Sequence, residues 1–160
     1  MGWVKAGFAL STIALAQFLA GCGSSSDPAA STMELQAKAQ AEIGGMQAKL
    51  DGQFEIEMDG RHLKGELDNA NVPMGTAISF CLVTGSGSTP LAAPQTVPGQ
   101  MQDIASFELK AEAGQAVPNV VSGNKLEARE GAMPSGMADC GAPLLMSAIF
   151  EPDMDEPDGH

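Results

Sequence analysis

From residue 46 onward, apolar and polar side chains trade places at every second position. Met46, Ala48, Leu50, Gly52, Phe54, Ile56 and Met58 fall on one side, and Gln47, Lys49, Asp51, Gln53, Glu55 and Glu57 on the other. A period of two with one dry side is the signature of a half-buried strand. Asp59-Gly60 then supplies a type I′ turn signal, which predicts a hairpin over 46–69 with Met58 opposite Arg61. That register sets Glu55 against Lys64, Glu57 against His62 and Ile56 against Leu63, all favourable cross-strand pairs. Thr76–Val83 and Leu144–Phe150 are almost wholly apolar and predict strands covered on both faces. Further strands are expected at 103–112, with Phe107, Leu109 and Ala111 inward, at 116–121, and at 124–130 after a Gly123-Asn124 turn. About seven strands joined by short turns point to an all-β fold, a small sandwich or barrel. Between them, 84–100 is rich in Gly, Ser, Thr and Pro and is predicted to be one long loop.

Ahead of the hairpin the pattern changes. Ser31 with Glu34 has the spacing of a capping box, and Leu35, Ala39 and Ile43 follow four residues apart. This predicts a short helix within 31–45, ended by Gly44 and Gly45. The β domain then spans 46–151, and an acidic, proline-interrupted tail at 152–160 is expected to be disordered. A faint echo pairs Phe54-Glu55-Ile56 with Phe107-Glu108-Leu109 and Gly60 to Leu63 with Gly123 to Leu126, the trace that a duplicated hairpin unit would leave.

The first 21 residues carry one charge, Lys5, followed by an apolar run from Ala6 to Ala20 that ends in small residues. These are the marks of an export signal. Leu19-Ala20-Gly21-Cys22 closes the run and resembles the lipobox of bacterial lipoproteins. The resemblance implies that 1–21 is a cleaved signal peptide, that Cys22 becomes the lipidated first residue, and that 22–30 is a flexible tether. It also implies a diacylglyceryl thioether, usually with an amide-linked third chain; at about 0.8 kcal/mol per buried methylene, two or more chains hold firmly. In that family an Asp after the cysteine favours retention in the inner membrane, so Gly23 favours the outer one where two membranes exist. The expected location is the cell envelope, facing the periplasm or the exterior.

Composition narrows what such a domain can bind. The chain has 20 acidic and eight basic residues, a formal net charge of -12, and loss of the signal removes one of the lysines. A surface of that sign repels phosphate backbones, which argues against nucleic acid as a partner. Trp3 is the single tryptophan and there is no tyrosine, so after cleavage Phe54, Phe80, Phe107 and Phe150 are the whole aromatic inventory. That is poor equipment for stacking sugars or bases. With Cys22 lipidated, Cys81 and Cys140 remain; an even pair in an oxidising compartment predicts one structural disulfide.

Candidate chemistry is thin. His62 is expected on a wet strand face, His160 ends the chain, and two histidines do not make a three-histidine zinc site. No G-x-S-x-G elbow, H-E-x-x-H or P-loop occurs, and Glu55 with Glu57 are the adjacent wet-face carboxylates that alternation produces. Met46, Met58 and Met146 are expected to fill the core, and Met74, Met101, Met133, Met137 and Met154 to be exposed. Two thioethers in Met133-Pro134-Ser135-Gly136-Met137 suit Cu(I) outside the cytoplasm, which gives a metal-handling alternative. The principal expectation is a lipid-anchored domain with a binding or structural role, no cofactor and no catalysis, meeting the membrane through its anchor and another envelope protein through its surface.

Overall fold

The computed structural model describes residues 33–98 and 104–153. These hold nine strands: β1 (Met33–Ile43), β2 (Met46–Glu57), β3 (Gly60–Asp68), β4 (Ala77–Thr84), β5 (Gly87–Pro90), β6 (Gln95–Thr96), β7 (Ala105–Lys110), β8 (Lys125–Glu130) and β9 (Leu144–Pro152). All neighbours are antiparallel, in the order β5-β4-β8-β9-β1-β2-β3-β7, with β6 also on β4. The fold is all-β, a curled sheet forming a half-barrel. Among the described residues no helix is long and apolar enough to cross a membrane.

The segment expected to begin as a helix is the long strand β1 from Met33 onward. Leu35, Ala39 and Ile43 recur every four residues, a spacing shared by one helical face and by every second residue of a strand face. Met33, Ala37 and Ala41 complete a strict alternation against Glu34, Gln36, Lys38, Gln40 and Glu42, and that decides the matter. Gly44 and Gly45, at φ +59° and +82°, make the tight hairpin turn that aligns Ile43 with Met46 and Met33 with Ile56. Asn71 Nδ2 donates to the Gly44 carbonyl at 2.6 Å and locks the turn in place.

The β2–β3 hairpin forms two residues out of the expected register. Glu57 opposes Gly60, Glu55 opposes His62, and Phe54 opposes Leu63. A type I′ turn at Asp59-Gly60 needs positive φ at both residues, but only Gly60 has it, so Met58 and Asp59 form the turn. A shift of two keeps the residues that remain in the two strands on their predicted faces. Met58, expected in the core, stands at the tip with 96 % of its surface exposed.

β9 joins the two halves of the sheet. Its first part pairs with β8, whereas Phe150 to Pro152 pair with Ala37 to Leu35 of β1. Its outer side is open: Leu144 and Ile149 are exposed, contrary to a strand covered on both faces. The sheet curls until Leu126 of β8 lies over the centres of β2 and β3. A Cβ added at Gly52 would lie 2.7 Å from Leu126 Cδ2, and one at Gly65 only 2.5 Å from Phe107 Cε1, so the absence of side chains there lets the layers close. Leu35, Leu50, Phe54, Leu63 and Leu67 fill the interior from one half and Ile78, Phe80, Leu82 and Phe150 from the other. Phe80 and Phe107 meet across it with ring centroids 4.9 Å apart.

Three further expectations need correction. Residues 116–121 are irregular, yet Val117 and Val120 are buried as plugs. The described part, 84–98, of the stretch expected as one loop at 84–100 runs back along β4, contributes β5 and β6, and buries Leu91 and Val97. β7 pairs with β3 and β8 with β4 and β9, so among the described residues of the second half there is no copy of the β2–β3 hairpin.

Candidate functional site

The side chains of β1, β2, β3 and β7 that point away from the core form continuous cross-strand rows. Glu151, Gln36, Gln53, Lys64 and Glu108 make one row, and Lys38, Asp51, Glu66 and Ser106 the next. Over these rows lies a groove of about 600 Å³, floored by the backbone at Gly52, Gly65 and Phe107. Its far wall is Gln95 of β6, whose Oε1 accepts from the Ser106 N–H of β7 at 3.2 Å. At the other end of β7 the Lys110 N–H donates to Gln115 Oε1 at 2.8 Å. Side-chain amides thus occupy donors on the edge of β7 that faces away from β3.

Hydrogen bonds order one end of the groove. Gln53 Nε2 donates to Glu34 Oε1 at 2.5 Å and also to Glu55, while Gln36 donates to Glu34 and Asp153. His62 lies between two carboxylates, 2.9 Å from Glu108 and 3.6 Å from Glu55, and Lys110 lies 3.2 Å from Glu108. The Lys110 hydrogen bond first, and then that of His62, hold the Glu108 carboxyl below its ordinary value, while partial desolvation pushes the other way. At the hairpin tip the Glu112 carboxyl is pushed up, chiefly by its hydrogen bond to Asp59 and by the repulsion between the two.

Such a surface can bind. It offers amide, carboxylate and ammonium groups in a fixed array, which suits hydrogen-bonded recognition of a polar partner. His62 is engaged by carboxylates beside the groove, and Ser106, the serine in the groove lining, is paired with Glu66, four residues along β3 from His62. Among the described residues no three His, Cys, Asp or Glu side chains are grouped to hold a metal ion.

Of the residues singled out from sequence, Cys81 and Cys140 are joined in a disulfide with Cα atoms 5.9 Å apart. The bridge pins the β8–β9 connection, residues 131–143, over the outer face of β4 and β8. Ser79, buried beneath it, donates to the Gly131 carbonyl at 2.6 Å and accepts from the Asp139 N–H at 3.0 Å. Met133 and Met137 lie on that flap on either side of a tight turn, the Met133 N–H donating to the Met137 carbonyl at 2.9 Å, and both side chains are exposed. Cys22, the signal and tether regions, Met101, Met154, His160 and the tail from 154 lie outside the described residues.

Sequence reasoning placed Asp51 and Gln53 on a wet face but did not identify the groove. Its β1 wall was hidden by the helix expectation, and nothing in the composition of 84–100 marks Gln95 as the residue that reaches β7. No family model matches the chain, and no curated protein and no solved structure matches it either.

Proposed function

We propose that this chain is an envelope lipoprotein, cut before Cys22 and held to the membrane by acyl chains on that residue, whose β domain binds a polar partner and performs no chemistry. The observation that carries the reading is Leu19-Ala20-Gly21-Cys22 at the end of an apolar run whose only charge is the early Lys5. A disulfide between Cys81 and Cys140 agrees with an oxidising compartment. The groove over β1, β2, β3 and β7 is the surface we assign to the partner, an envelope protein. We also read the half-barrel as belonging with the small sandwiches and barrels, since Gln95 ties β6 to the free edge of β7. Intact mass of protein purified from membranes tests the anchor. Expected is a chain beginning at Cys22 with the added mass of acyl chains; a chain that retains residues 1–21, or one that begins at Cys22 without lipid, overturns it.

A second reading, Cu(I) handling, draws on the placement of Met133 and Met137 on opposite sides of one turn. Titration of the soluble domain with Cu(I) decides it. A dissociation constant no tighter than that of a Met133→Ala, Met137→Ala variant removes this reading.

A further inference from the structure

The exposed large apolar side chains are not scattered. Apart from Ile149, those among the described residues gather at the two ends of the half-barrel. One end carries Met33 and Ile56, which are cross-strand partners 44 % and 37 % exposed, and Met58 at the β2–β3 tip. Val121 belongs to this end too, because Gly123 donates to Phe150 where β9 runs on to pair with the start of β1. The opposite end carries Met74, after β3, together with Met133 and Met137 in the β8–β9 connection and Leu144 at the start of β9.

We propose that the end bearing Met33, Ile56 and Met58 rests on the bilayer, its apolar tip set into the zone between headgroups and acyl chains. The inference rests on the reading that Cys22 is acylated. Met33 lies eleven positions after Cys22, and at no more than about 3.6 Å per residue that stretch spans at most about 40 Å. β1 begins at this end, and its last residue lies roughly 35 Å further on at a strand's rise per residue. At the root-mean-square reach of a linker this long, about 18 Å or half the length of β1, the Met33 end is the one held near the membrane.

Its chemistry fits a lipid surface. The flexible thioethers of Met33 and Met58 adapt to a fluid apolar boundary, and the sec-butyl group of Ile56 adds apolar surface beside them. Arg61, exposed and opposite Ile56 on β3, can keep its guanidinium at the phosphate level while its methylenes follow the apolar side chains down. Glu57, Asp59 and Glu112 around the tip set the preference for zwitterionic over anionic lipid. Tethering supplies the rest, since an attached surface meets its target at an effective concentration on the order of millimolar, where weak contacts are occupied.

Loss of Trp3 with the signal leaves a chain without tryptophan or tyrosine, so Met58→Trp introduces the sole indole. Lipidated Met58→Trp protein is reconstituted in phosphatidylcholine vesicles, with and without brominated lipid, beside lipidated Met137→Trp and a soluble Cys22→Ser form of each. The expected result is blue-shifted emission and strong quenching by brominated lipid for the indole at 58, with the one at 137 matching its soluble form. Quenching at 137 instead, or emission at 58 that equals its soluble control, overturns the orientation. Intact mass on the same samples separates the causes: an acylated protein with a water-exposed indole at 58 defeats the orientation alone, and an unacylated Cys22 defeats the anchor and the orientation together.

Discussion

Reduction and alkylation of Cys81 and Cys140, or their replacement by serine, is expected to remove about 4 kcal/mol of stability, by the chain-entropy estimate for closing a loop of about 60 residues. The two positions are 59 apart in sequence. A domain of this size typically has about 5–15 kcal/mol in total, so the loss moves the denaturant midpoint far down. The native sheet should nevertheless persist, because the disulfide ties a connection to the outside of β4 and contributes no ladder bond. Ser79 and Arg129 continue to hold the same flap, Arg129 through Nη1 to the Ala142 carbonyl at 2.6 Å. Urea unfolding of the oxidised and the Cys→Ser proteins checks this. A shift in midpoint too small to represent 1 kcal/mol would show that the unfolded chain gains little freedom from the cut.

Replacing Arg129 with methionine is expected to cost about 3 kcal/mol, the lower end of what breaking a buried pair costs, because the pair retains some access to water. Arg129 Nε and Nη2 both donate to Glu127 Oε2, at 2.8 and 2.6 Å, and Glu127 is only 8 % exposed. Both side chains project from β8 toward the flap, so removing the guanidinium strands a carboxylate under it and also frees the Ala142 carbonyl. The Glu127→Gln, Arg129→Met double variant should recover part of the loss, since the uncompensated charge disappears with its partner. Thermal or urea unfolding of the four proteins of the cycle measures the coupling. Strict additivity would mean that Glu127 is solvated and that the pair contributes nothing specific.

Much of the fold was legible where a pattern had one interpretation. β2, β3, β4 and β8 announce themselves through alternation or unbroken apolarity, and the pairing of Cys81 with Cys140 followed from there being one way to pair them once Cys22 is set aside. The failures have equally local causes. For β1 a four-residue recurrence was counted for a helix although it serves both periods, and the alanines at 37 and 41, small enough to pass as neutral, were the deciding positions. Two turns then exchanged roles: Gly44-Gly45, read as a helix stop, makes the tight turn, while Asp59-Gly60, read as that turn, lacks positive φ at its aspartate. The groove was illegible for a different reason. Its walls are ordinary wet-face residues, and only the curling of the sheet, permitted where Gly52 and Gly65 leave space for Leu126 and Phe107, brings four strands and Gln95 around one hollow.

An incompletely closed barrel keeps the growth habit of a crystal face: whatever strand arrives next can extend it. On β7 that habit is checked by two amides, Gln95 from one side and Gln115 from the other, each occupying a backbone donor that an incoming strand would need. Molecules confined to a membrane surface meet one another far more often than the same number free in solution. On a chain anchored as proposed, two uncharged side chains, and not the acidic surface alone, guard that edge of β7 against edge-to-edge pairing.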